Sequence, residues 1–196
     1  IQNNEDISNV DTSLITNMTL MFWDCEDFNQ DISGWDVSSV TDMKSMFEGC
    51  QFFNQDISKW DVSNVINMEC MFGGCFNFNQ DISKWNVSNV INMSDTFYEC
   101  LVFNQDLSQW DVSNVINMNW MFGLNTNFNQ DISKWNISNV LEMMFMFRGC
   151  KEFNQDLSSW DVSNVENIKH IFAYCPNFEF KNFKSKIILE MPLVPI

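Results

Sequence analysis

Six tryptophans, Trp35, Trp60, Trp85, Trp110, Trp135 and Trp160, recur at a constant spacing of 25 residues, with no insertion or deletion between them. Val10 takes that position in a degenerate first copy. A second ruler runs through Met21-Phe22, Met46-Phe47, Met71-Phe72, Met121-Phe122 and Met146-Phe147, with Thr96-Phe97 and Ile171-Phe172 as variants. A third is Cys25, Cys50, Cys75, Cys100, Cys150 and Cys175. Repeats should be sought first in any chain, and one this strict implies that each copy is one coil of a stack. An out-of-phase coil would break the in-register contacts of its neighbours. One coil cannot bury its own apolar side chains, so stability becomes a sum of neighbour-to-neighbour terms.

Within a copy the pattern divides. Ile57-x-x-Trp60-x-Val62 has the form of a leucine-rich repeat, in which alternation about Trp60 and Val62 predicts a short strand with Lys59, Asp61 and Ser63 facing outward. Val65, Met68, Met71, Phe72 and Cys75 follow a helical period that ends near Gly74. The expected fold is therefore an α/β repeat: a leucine-rich-repeat solenoid with a parallel strand ladder on one face and short α or 3-10 helices on the other. Residues 1–178 would form about seven 25-residue repeats, and residues 179–196 a C-terminal cap or tail. The apolar run IILEMPLVPI within that tail suits closure of the core, whereas the N-terminal coil has no counterpart. Ile1 falls mid-copy and is not an initiator Met, which reads as a processing edge.

The wording V-x-x-M-x-x-M-F-x-x-C-x-x-F resembles BspA-type leucine-rich repeats. The fuller FNQDIS-x-WDVSNV-x-NM-x-x-MF-x-x-C is similar to the 25-residue variant found in surface lipoproteins of Mycoplasma and in BspA-family surface proteins of other microbes. The resemblance covers roughly residues 4 to 178. It implies a non-enzymatic, adhesion-like interaction module at the cell surface or outside the cell, and it brings no catalytic residues. A virion surface or the cytoplasm is the alternative location, and a structural part of a microbial or viral outer layer the alternative role.

Composition narrows the partners. Forty-five percent hydrophobic residues, with 19 Phe and 13 Met, exclude a disordered chain. A net charge of −16 disfavours nucleic acid and anionic membrane surfaces, which are themselves polyanionic. It suits a basic protein partner, a divalent cation, or solubility alone. No apolar run approaches the roughly 18 residues of a membrane span, so membrane insertion by this segment is not expected.

Three rows of residues look chemical. Asp6, Asp31, Asp56, Asp81, Asp106, Asp131 and Asp156 would stack as carboxylates and recruit a cation such as Ca²⁺, or else build the turn that enters each strand together with the preceding Asn and Gln. Repetition in every coil favours the turn. The cysteines form a line rather than the tetrahedral cluster that zinc needs, and stacked equivalents have poor disulfide geometry. Asn125 replaces Cys in the fifth copy; its amide is expected to bond a neighbouring carbonyl as a thiol would. His170, the only histidine, shares its position with Ser45, Cys70, Asp95, Trp120 and Phe145, which reads as an exposed site without a nucleophile. Four N-x-S/T sequons, at Asn17, Asn86, Asn92 and Asn136, matter only in a glycosylating compartment. No catalytic residue, cofactor or metal is assigned.

A protein partner, of unknown identity, must read residues that vary between coils. The outward stripe sets Lys59, Lys84 and Lys134 beside a row of Asp36, Asp61, Asn86, Asp111, Asn136 and Asp161, and its Lys and Asp are expected to pair internally along the sheet. The other face offers Trp23, Glu48, Tyr98 and Arg148 at one offset and Trp120, Phe145 and His170 at another. Trp120, Met144 and Phe145, with Tyr98 and Arg148, form the candidate partner contact, because exposed aromatics and Arg are enriched at interfaces. End-on self-assembly through the uncapped N-terminal coil is the second possibility.

Overall fold

The computed structural model describes residues 5–183. Copies 25 residues apart lie directly on one another. Phe22, Phe47, Phe72, Phe97, Phe122, Phe147 and Phe172 form a column of near-parallel rings whose centroids are 5.5–5.7 Å apart from coil to coil. Phe28, Phe53, Phe78, Phe103, Phe128, Phe153 and Phe178 make a second column at 5.8–6.4 Å. Within each coil the two columns meet at 3.7–4.3 Å. The six ruler tryptophans and the repeated Ile/Leu, Val and Met positions close the core around them.

The expected α/β leucine-rich-repeat solenoid is overturned. Among the described residues no strand forms, and the one helical element is the 3-10 turn Phe180–Asn182. The strand-like pairings are isolated parallel bridges, one residue per coil, running from Asn17–Asp42 to Glu142–Asn167. They do not lie at Trp60 and Val62, where the strand ladder was expected, but at the Asn67 position, inside the segment read as helical.

Hydrogen bonding gives the reason. Ser58 N–H bonds to the Asp56 carboxylate at 2.9 Å and Ser63 N–H to that of Asp61 at 3.0 Å. Trp60 N–H then closes on the Ile57 carbonyl at 3.1 Å, and Val65 N–H on that of Val62 at 2.9 Å. Two side-chain-capped turns in succession bend the backbone too tightly for a strand.

The expected helix fails for a different reason. Cys70 and Gly74 take positive φ, +54° and +73°, in the middle and near the end of the segment. N–H groups of Met68, Cys70, Phe72 and Gly74 therefore point out of the coil, to the carbonyls of Asn92, Ser94, Thr96 and Tyr98 in the next one, at 2.8–3.0 Å. Met71, Gly73 and Cys75 instead close three-residue turns onto Met68, Cys70 and Phe72 at 2.9–3.0 Å. Alternate donors thus serve the turn and the neighbour, and buried amides stay paired without either regular element.

Side chains stitch the same interface from the opposite direction. Trp85 Nε1–H donates to the Ile57 carbonyl of the preceding coil at 3.1 Å, Asn89 to that of Ser63 at 2.7 Å and Gln80 to that of Asn54 at 2.9 Å. Cys75 Sγ–H reaches the Phe47 carbonyl at 3.1 Å. At the C-terminal end Phe183 is buried edge-on against Phe172, with centroids 5.3 Å apart, and the Asn182 carbonyl accepts Leu157 N–H at 2.8 Å. Most of the expected cap, residues 184–196, lies outside the described residues.

Candidate interaction surface

The residues that break the repeat lie on the run of turns, at positions fixed by its unusual backbone. Leu20, Ser45, Cys70, Asp95, Trp120, Phe145 and His170 all have φ between +53° and +59°. That conformation disfavours side chains. In the last three coils the occupants touch in sequence. Trp120 stacks on Phe145 at 4.4 Å, and Phe145 on His170 at 5.2 Å.

Tyr98 meets the Trp120 ring edge-on at 5.5 Å. The Arg148 guanidinium carbon lies over three rings, 5.2 Å from Trp120, 5.3 Å from Phe145 and 5.2 Å from Tyr174. Gly123 makes room for the indole, since a Cβ there would come 2.5 Å from Trp120 Cε3. Four of the five expected contact residues, Tyr98, Trp120, Phe145 and Arg148, thus form one cluster. Met144 adjoins it through its backbone carbonyl, which accepts Trp120 N–H at 2.9 Å, but its sulfur faces Asn167 Nδ2 at 3.7 Å. All five are half-buried rather than fully exposed.

His170 is also half-buried, against the expectation of an exposed site, because its ring completes the Trp120–Phe145 column. Tyr174, 56% exposed, was not foreseen; it shares its offset with Gly49, Gly74 and Gly149, so the substitution for glycine was the available signal. Beside the cluster runs an open groove of about 460 Å³ lined by Phe76, Glu99, Leu101, Leu124, Arg148, Lys151 and Tyr174. Sequence reasoning also passed over the exposed column Ile66, Ile91 and Ile116.

Elsewhere the chemical rows resolve into structure. Asp31, Asp56, Asp81, Asp106, Asp131 and Asp156 each accept the N–H of the serine two residues on. The hydroxyl and N–H of Ser58 hold Asp56 below the usual carboxylate range, and those of Ser83 do the same for Asp81. The Asn and Gln before each Asp serve the coil interface instead: Asn54 Oδ1 accepts Asn79 N–H at 3.0 Å from the following coil. The second Asp-x-Ser, at Asp61, also builds a turn, where the sequence suggested only an outward sheet residue. The expected Lys/Asp pairing along that face is absent among the described residues, whose ion pairs with one another join Lys44 to Glu69, at 2.9 Å, and Lys181 to Glu179.

All seven thiols are free. Burial pushes Cys50 up to about 12 and Cys75 well above its ordinary value, so both are inert donors. Asn125 departs from expectation: it is fully buried, and neither its amide nitrogen nor its oxygen has a hydrogen-bond partner. Among the described residues no three His, Cys, Asp or Glu side chains converge as a metal site would require.

A family model described as "Mycoplasma protein of unknown function, DUF285" matches residues 1–108 and again residues 75–187. The chain belongs to this family. The overlapping DUF285 matches follow from the repetition, since a block of copies can be aligned in more than one register. No curated protein and no solved structure matches the chain. Membership fixes the repeat architecture of DUF285 as the frame and leaves the ring cluster as the feature of this chain to be explained. Among the described residues no helix is long and apolar enough to cross a membrane.

Proposed function

We propose that this DUF285 chain is a non-catalytic protein-interaction module, displayed at the cell surface, which contacts its partner through the Trp120, Phe145 and Arg148 face. The observation that carries the reading is the cluster itself. Coil stacking needs the two Phe columns and the Trp column, but it needs no aromatic at the positive-φ position, where other coils carry Ser45, Cys70 or Asp95. Three consecutive coils nevertheless place rings there, and the chain's single arginine lies over two of them, Trp120 and Phe145. Aromatic and Arg residues in a partly desolvated setting are the usual energetic centre of an interface. The resemblance of the repeat wording to BspA-type surface proteins supports the location.

The test is capture from an extract of cell-surface proteins by immobilised wild type, a Trp120→Ala, Phe145→Ala variant and a Lys59→Ala, Lys84→Ala variant on another face. Proteins held by wild type and the lysine variant, but lost from the aromatic variant, support the reading. Equal capture by all three retires it.

A structural role in an assembly is the second reading, favoured by the directional stitching. A coil's forward face offers the N–H groups of its turns, and its backward face the side-chain donors of Trp, Asn, Gln and Cys. Two such faces fit head to tail and not face to face. A sedimentation coefficient that stays that of a monomer as concentration rises would remove this reading.

A further inference from the structure

We infer that the partner group received at this face is a carboxylate beside a bulky apolar side chain, so that the partner presents an acidic, hydrophobic peptide segment. This rests on the interaction reading above and adds the chemistry of what is bound.

Arg148 is the only arginine in a chain with 26 acidic residues, yet among the described residues it forms no ion pair and its side chain donates no hydrogen bond. Its guanidinium carbon lies 5.2–5.3 Å from the centroids of the Trp120, Phe145 and Tyr174 rings, which holds the group against apolar surface. Cation–π contact of this kind fixes the group while leaving its in-plane N–H donors free. A held, half-desolvated fork of donors is the geometry that recognises a carboxylate in bidentate fashion.

Lys151, likewise in no ion pair, lines the same groove. The groove's walls are apolar: Phe76, Leu101, Leu124 and Tyr174, of which Leu101 is 37% and Tyr174 56% exposed. Among the groove's lining residues two cations stand against the single carboxylate of Glu99, on a molecule of net charge −16. A long polyanion would be repelled by the rest of the surface. A short acidic segment whose apolar side chain fills the groove would not.

Three fluorescein-labelled peptides test this by anisotropy: one alternating Asp with Leu and Phe, one with Asn for Asp, and one with Lys for Asp. The Asp peptide is expected to bind about tenfold or more tightly than the Asn peptide, the scale of one charge-assisted hydrogen-bonded pair. Arg148→Gln should erase that difference, Arg148→Lys should keep part of it, and Glu99→Gln should enlarge it. Melting curves establish that each variant is folded. Absence of binding by the Asp peptide, equal binding of the Asp and Asn peptides, or indifference to Arg148→Gln in a folded variant would overturn the inference. Preference for the Lys peptide, abolished by Trp120→Ala and Phe145→Ala, would overturn it while leaving the interaction reading intact. Conversely, Arg148-dependent binding of the Asp peptide would support it even if the aromatic variant captured every partner that wild type does.

Discussion

At the scale of single residues, Asn125 is the clearest flaw in the stack. Cysteine at the equivalent position donates to a carbonyl 28 residues earlier, as Cys150 does to Phe122 at 2.9 Å, whereas the Asn125 amide is buried with nothing to bond. An unsatisfied buried polar group costs about 1–3 kcal/mol, so Asn125→Cys should raise unfolding free energy by roughly that amount in urea titrations under reducing conditions. Asp95 gives a second prediction. Burial, with Glu69 and Glu48 nearby, lifts its carboxyl to about 6. A carboxyl raised above its unfolded value stabilises most when protonated, and that contribution is lost as pH rises through about 6. The turn-forming Asp56 and Asp81 act oppositely: lowered by their serines, they stabilise above their unfolded values and cease to do so as pH falls through the folded ones. Asp95→Asn should therefore flatten the fall in melting temperature between about pH 4 and 6, while leaving in place the acid loss that Asp56 and Asp81 set. The turn role of the first Asp row was readable from Asp-x-Ser. The fate of Asn125 was not, because donor capacity says nothing about whether a carbonyl lies within reach.

Between residue and molecule, the sequence was informative about which side chains face inward and misleading about the backbone that holds them. Val65, Met68, Met71, Phe72 and Cys75 are all buried as the periodicity implied, yet a helix and a run of overlapping turns can present the same offsets inward. What separates them is the sign of φ at Cys70, and Ser, Cys, Asp, Trp, Phe and His at that position give no local warning of +53° to +59°. Gly74, by contrast, marked the second such position openly. The strand expected at Trp60 fails because Asp61 repeats the turn chemistry of Asp56, a signal that was present and misread. With no strand ladder on that side, the indole N–H and the Asn side-chain amide join the coils there. Trp85→Phe should cost about 1–3 kcal/mol, from the lost bond to the Ile57 carbonyl and the smaller ring in a packed column. Chemical denaturation at constant m-value would measure it; an unchanged midpoint would contradict the assignment.

For the whole molecule, the register was fully legible, since a spacing that never slips has no other economical explanation than copies lying on one another. The consequence is modularity with a strict quantum. Deleting residues 61–85, one period, should leave a cooperatively folding protein whose m-value falls in proportion to the surface lost. Deleting residues 61–84 should abolish cooperative unfolding, because every later coil would offer the wrong groups to its neighbour. The interaction face, unlike the register, was only partly legible: the rings could be named, but their gathering around Arg148 depends on a backbone that the sequence did not disclose. The near-identical seams between coils also set how the molecule would yield under load. Pulled from its two ends it would pay out chain in equal increments, each about 80 Å of extended polypeptide per 25 residues. In a force–extension trace that rhythm would read as an evenly toothed saw rather than one abrupt rupture.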